Sequence, residues 1–210
     1  MPAGFFLVLE GPEGSGKTTL AAGLADRLRG VRVDPVVVRE PGGTPVAEVL
    51  RRELLDEDRA WTPEMELLYI VTARADHVTR VIRPALEAGR LVISDRFDLS
   101  TRAYQGAGRG VAADFLEAVN HAATGGLTPD LTLILDLPPE VGVARLDENG
   151  RAQNRLDQES MDFHRRVAAR YLEEQGPGVR HLDASLPPSE LLDQAMTALR
   201  EARPDLLPAT

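Results

Sequence analysis

The run Gly11-Pro12-Glu13-Gly14-Ser15-Gly16-Lys17-Thr18-Thr19 has the residue types and spacing to hold a phosphate. It fits the pattern G-x-x-x-x-G-K-[ST]. Glycines at these intervals let successive backbone N–H groups turn inward, and a helix N-terminus behind them adds its positive end. Lys17 can reach the β- and γ-phosphates of a nucleotide, and the Thr18 hydroxyl can ligate Mg²⁺. Of the 24 lysines and arginines, Lys17 is the only lysine. A compact ammonium on a slim stem suits a tight phosphate loop where a planar guanidinium would not fit. Glu13 is out of place there, because a carboxylate repels a phosphate. It points either to solvent or toward an acceptor molecule or metal ion beside the transferred group.

A guanine-reading Asn-Lys-x-Asp is impossible with one lysine in the loop, which argues against a GTPase. The chain instead offers Arg39, Arg51, Arg74, Arg96, Arg151 and Arg155 around the presumed site. Arginine forks clamp phosphates bidentately. Two groups of them suggest two phosphate-bearing ligands, a donor and an acceptor. His77, His121, His164 and His181 show no ligand spacing and read as surface or helix residues. Trp61 reads as a packing anchor.

Positioning these groups requires a strand before the loop and a helix after it. Phe5 to Leu9 is a continuous apolar run, and Leu20, Ala21, Leu24, Ala25 and Leu28 recur at helical spacing. Further apolar runs end at Arg39, Asp95 and Asp136, with a weak fifth at Val179 to Leu182. Thr44-Pro45 and Thr62-Pro63 read as N-cap and first helical position, opening helices to about Leu55 and Arg80. Pro84 reads as a break. Helical pattern returns at Ala113 to Ala123, after Pro138-Pro139, at Gln158 to Glu174 and at Ser189 to Ala202. Residues 147–156 are polar and read as a loop or lid.

Strands alternating with helices predict an α/β fold with a five-stranded parallel sheet flanked by helices, a three-layer sandwich. The chain reads as one P-loop domain over residues 1–210, with a short lid at about 147–156. In such sheets ligands lie beyond the carboxyl ends of the strands. Glu10, Arg39, Asp95, Arg96 and Asp136 stand there. The net charge of −9 disfavours nucleic acid as a partner and points to a small phosphate ligand. The absence of cysteine fits a cytoplasmic protein, no N-terminal run reads as a signal peptide, and no apolar run predicts a membrane span.

Glu10 to Thr19, Arg39-Glu40-Pro41-Gly42-Gly43-Thr44, Asp95-Arg96-Phe97, Ser100 to Gly106 and Pro129 to Asp136 together resemble the ordered motifs of bacterial thymidylate kinases. The resemblance runs to about Leu172. It implies a P-loop NTPase fold and transfer of the γ-phosphoryl of ATP to dTMP, with Mg²⁺ as cofactor and a homodimer as the assembly. It implies that Gly11 to Thr19 bind ATP and that Arg39, Arg51 and Arg96 hold the dTMP phosphate. Arg74 would face the thymine edge, with Thr101 and Gln105 nearby, and Tyr104 would crowd the sugar 2′ position. Glu13 would meet the 3′-hydroxyl. Lys17, Arg96 and Asp95 would be catalytic, Thr18 and Asp95 would serve the metal, with Asp136 the other candidate for the metal-proximal carboxylate, and the catalytic lid arginine would be Arg151 or Arg155. One position departs from the pattern. Ile70 stands where the family commonly stacks a Phe on thymine, so base affinity falls or Tyr69 substitutes. Another nucleoside monophosphate kinase or a P-loop regulatory ATPase would share the cradle.

Overall fold

The computed structural model describes residues 4–148 and 154–205. β1 (Phe5–Glu10) is buried along its whole length, as an unbroken apolar strand must be when both faces are covered. It lies at the centre of a five-stranded parallel sheet ordered β2-β3-β1-β4-β5. The other strands are β2 (Val36–Arg39), β3 (Leu91–Asp95), β4 (Leu131–Asp136) and β5 (Val179–Asp183). Side chains alternate across the sheet. Phe5, Leu7 and Leu9 pack on one face with Leu20, Leu24 and Leu28 of α1 (Lys17–Gly30) and with Leu191, Ala195 and Leu199 of α9 (Pro188–Ala202). Phe6 and Val8 pack on the other face with Val78, Ile82 and Phe97. The α/β three-layer expectation therefore holds.

Register brings the chemistry to one edge. Asp95 pairs with Leu9 on one side and Arg39 on the other, so Glu10, Arg39 and Asp95 end together. Thr44 and Thr62 cap α2 (Pro45–Leu55) and α3 (Pro63–His77) by accepting from Ala47 N and Met65 N, as the Thr-Pro pairs predict. The remaining helices are α4 (Arg83–Glu87), α5 (Asp98–Thr101), α6 (Ala113–Thr124), α7 (Pro139–Glu148) and α8 (Met161–Leu172).

Several boundaries differ from the sequence reading. Pro84 does not break the chain's helical path. Val78–Ile82 form a π-helical turn in which Arg83 N–H bonds Val78 O, and α4 follows with Pro84 in its first turn. The wider turn shifts the hydrogen-bond frame so that the proline falls where no donor is needed. A second π-helical stretch, Arg102–Gly108, was unforeseen. α7 runs through Asp147 and Glu148, the first two residues expected to be loop or lid; residues 149–153, with Arg151, lie outside the described residues. α8 starts only at Met161 because Ser160 caps it by accepting from Phe163 N. Among the described residues no helix is long and apolar enough to cross a membrane.

Candidate active site

The phosphate loop sits between β1 and α1. Gly16, with φ of 89°, precedes α1 and gives no side-chain cap, which leaves the first-turn N–H groups to a ligand. Gly14 is required by close approach. A Cβ there would meet Gly142 O at 2.3 Å, so the loop lies directly on α7. Lys17 Nζ donates to Gly11 O at 3.0 Å, Pro12 O at 2.7 Å and Ser15 Oγ at 3.1 Å. Burial, and then the charge of Arg96, lower its pKa to about 8. Thr18 Oγ1 donates to Asp95 Oδ2 at 2.6 Å.

Arg96 follows β3 in a left-handed conformation, φ 76°. Its guanidinium donates to Gly11 O, Ser100 Oγ and Tyr171 OH through one nitrogen, and to Glu13 Oε1 at 2.6 Å and Tyr104 OH at 3.1 Å through the other. Glu13 is thus matched to an arginine and does not face open solvent. Burial works against the charge of Arg96, but Glu13, Tyr104, Tyr171 and Asp95 together outweigh it and hold the guanidinium charged. Glu10, fully buried, accepts from Phe97 N, Ser100 N and Ser100 Oγ, which aims the segment after Arg96. Burial raises its pKa despite these donors.

One cavity of about 310 Å³ joins this loop to the rest of the candidate residues. Lys17, Thr18, Thr19, Asp95 and Arg96 line it beside Arg39 and Arg51. Arg39 is fixed by Glu48 at 2.8 Å, and Arg51 donates to Pro41 O at 2.8 Å. Ile70, Arg74, Phe97, Thr101, Tyr104 and Gln105 line the same cavity. Arg74, only 1% exposed, donates to Glu40 Oε2 at 2.7 Å, Asn120 Oδ1 at 2.5 Å and Phe97 O at 3.0 Å. Burial raises the Glu40 pKa, but Arg74 and then His77 bring it below the ordinary carboxylate value. His77 is the last residue of α3 and fully buried, so of the expected surface or helix setting it has the helix, and Gly43 gives it room: a Cβ there would meet its Nε2 at 2.7 Å. His181 pairs with Asp136 at 3.0 Å.

Two expectations meet a different arrangement. Tyr69 does not substitute for Ile70 in the cavity; it packs edge-to-face on Trp61, centroids 4.3 Å apart. Ile70 itself lines the cavity. Arg155 is turned from the phosphate loop. It donates to Glu66 Oε2 at 2.5 Å and to Leu54 O at 3.3 Å. The sequence reading placed Glu10 at its strand end and Glu40 in a motif without giving either a role, and it passed over Glu66 and Asn120, whose partners lie far along the chain, and Arg145, which reaches Gly14 O at 3.5 Å and Ala184 O at 2.9 Å. A usable signal existed for Glu66, which shares a helix stripe with Ile70 and Arg74 at intervals of four.

Thr18 and Asp95 suit Mg²⁺: both offer hard oxygen ligands, and a site of one or two protein oxygens completed by water and phosphate is the ion's usual setting. Among the described residues no group of three or more His, Cys, Asp or Glu could hold a metal.

The thymidylate kinase family model matches residues 9–195. The chain is 48% identical over 200 residues to a thymidylate kinase of Thermomicrobium roseum, covering 94% of this chain and 95% of that protein. It is 46% identical over 204 residues to one of Desulfovibrio desulfuricans, covering 92% and 94%. With one of Ectopseudomonas mendocina it shares 45% over 210 residues, 98% of each. With phosphate loop, arginine cluster and full-length similarity in agreement, the chain belongs to the thymidylate kinase family.

Proposed function

We propose that the chain transfers the γ-phosphoryl of ATP to dTMP, giving ADP and dTDP. The observation that carries this is one cavity lined by the phosphate loop, by Arg39, Arg51, Arg74 and Arg96, and by a partly apolar set that includes Ile70 and Phe97. Donor and acceptor phosphates can therefore meet within it. The acceptor is already anionic near neutral pH, so no strong general base is needed. Catalysis then rests on positioning and on neutralising charge.

Loop amides and Lys17 hold the donor. Arg39, Arg51 and Arg96 bring the acceptor phosphate in against its own repulsion. Glu13, fixed by Arg96 and Tyr104, faces the sugar 3′-hydroxyl, while Tyr104 crowds the 2′ position. Arg74, Thr101 and Gln105 read the base against Ile70. Mg²⁺, held by Thr18 and Asp95, would supply positive charge to the donor phosphates. A lid arginine, Arg151 or Arg155, adds charge on closure and excludes water; for Arg155 this means exchanging Glu66 for phosphate. A cytoplasmic homodimer fits this reading, with exposed Met65 and Leu68 of α3 and Phe115 of α6 as contact residues.

The test is ADP release from ATP and Mg²⁺ with dTMP, dUMP, UMP, CMP, GMP and AMP in turn. Turnover highest with dTMP is expected. A preference for another monophosphate would move the base-site roles, and hydrolysis indifferent to acceptor would mark a regulatory ATPase.

A further inference from the structure

Glu66 is 1% exposed, yet it is not one of the residues that line the cavity. Its carboxylate joins four parts of the fold. Oε1 accepts from Gln105 Nε2 at 2.7 Å and Arg109 Nε at 3.2 Å. Oε2 accepts from Arg109 at 3.2 Å and from Arg155, itself bonded to Leu54 O at the end of α2. Burial raises its pKa, but Gln105 and the two arginines bring it below the ordinary value, so Glu66 is ionised at neutral pH.

An ionised carboxylate only accepts hydrogen bonds. The Gln105 amide therefore has one tolerable orientation, because the reverse would set two acceptor oxygens together. With Nε2 committed to Glu66, the carbonyl oxygen is the end left for the cavity that Gln105 lines. One helical turn earlier, Thr101 Oγ1 is buried without a protein partner and its residue lines the same cavity, so the pocket has hydrogen-bonding capacity reserved for a guest. Arg74, which lines the same cavity, uses three N–H groups on Glu40, Asn120 and Phe97, which leaves two of its five.

We propose that Glu66 is a specificity-determining positioning residue, setting Gln105 as an acceptor so that acceptor and Arg74 donor together fit a pyrimidine-2,4-dione edge. Such a base offers a ring N–H beside a carbonyl. Cytosine presents the opposite pair, a bare ring nitrogen beside an amino group. Against that edge both the Gln105 carbonyl and the Arg74 N–H would face a group of their own kind. A site built this way rejects the mismatched base because its buried polar groups are left unpaired.

The inference rests on the dTMP kinase reading and is separable from it. Initial rates with dTMP and with dCMP are compared for the wild type, Glu66→Gln, Gln105→Ala and the double variant. In Glu66→Gln, Arg155 keeps the new amide's oxygen on its own side, which turns the NH₂ toward Gln105 and reverses that side chain. The ratio of kcat/KM for dTMP over dCMP should fall about tenfold or more, chiefly through KM for dTMP. In the Gln105→Ala background the same change should leave the ratio where it is. Equal losses with both acceptors, or the same drop in ratio in both backgrounds, would overturn the proposal and leave Glu66 as a strut for Arg109 and Arg155. Glu66→Asp, which keeps the charge but falls a methylene short of Gln105, gives the same readout if the glutamine variant does not fold. A wild type indifferent between dTMP and dCMP would instead overturn the thymine-selective reading on which the proposal rests.

Discussion

The Thr18 hydroxyl donates to the Asp95 carboxylate across 2.6 Å, so the phosphate loop and the end of β3 are joined at the two oxygens suited to Mg²⁺. Replacing Asp95 by Asn keeps the shape and one acceptor but removes the charge. Turnover should fall about a hundredfold or more, the loss seen when one electrostatic stabiliser is removed. The Mg²⁺ needed for half-maximal rate should rise. Rates across a Mg²⁺ titration, with calorimetric binding of ATP in the same buffers, check both.

Lys17→Ala should lower kcat about 10²–10³-fold while the melting temperature moves little, since its partners are loop carbonyls and one hydroxyl. Its folded pKa, about 8, lies below the ordinary 10.5. The unfolded chain therefore binds the extra proton between these values, and stability of the free enzyme rises with pH across that window. ATP favours the ammonium, so its affinity should be level below pH 8 and fall above it, by at most tenfold per pH unit. Calorimetry in buffers of different ionisation heat should register proton uptake near pH 9.

Arg155→Ala and Arg151→Ala separate the two lid arginines. The one that meets the transferred phosphoryl should lose about 10³-fold or more in kcat at nearly unchanged KM for dTMP. The other should stay within about tenfold. Arg155→Ala should also alter melting, because it leaves Glu66 with fewer donors. Single-turnover rates with thermal scans distinguish the outcomes.

Ile70→Phe should tighten dTMP binding. An aromatic stack contributes about 0.5–1.5 kcal/mol beyond burial, or roughly two- to tenfold in Kd. Tyr69 is engaged with Trp61 and does not already supply that contact. Titration calorimetry of both forms decides it; an unchanged Kd would mean that the base does not lie against residue 70.

The phosphate loop was legible because all its parts are contiguous: apolar strand, glycines, Lys17, amphipathic helix. The strand-end residues were legible for a related reason, since each apolar run stops where its chemistry begins. The arrangement around Glu66 was not, because its partners stand 39, 43 and 89 positions away and only tertiary packing unites them. Glu40 was hidden likewise, 34 positions from Arg74. Pro84 misled because a π turn absorbs it, and hydrogen-bond frame is not a property of local composition. Asp147 and Glu148 were read as loop because Asp147-Glu148-Asn149-Gly150 has turn-forming types, while α7 carries its first two residues as a last turn.

Arg96 holds a backbone conformation that costs a side-chain-bearing residue about a kilocalorie per mole or more and costs glycine nothing. Its side chain nonetheless reaches Glu13, Tyr104 and the phosphate loop from that posture alone. The side chain therefore offsets the strain of its own backbone: glycine at residue 96 would relieve about a kilocalorie per mole and remove the partner of Glu13 together with the bonds to Ser100, Tyr104 and Tyr171. Arg96→Gly should accordingly melt lower than the wild type, not higher. One guanidinium ties the phosphate loop, the end of β3 and the helices beyond it together, so the position leaves evolution little freedom of residue type.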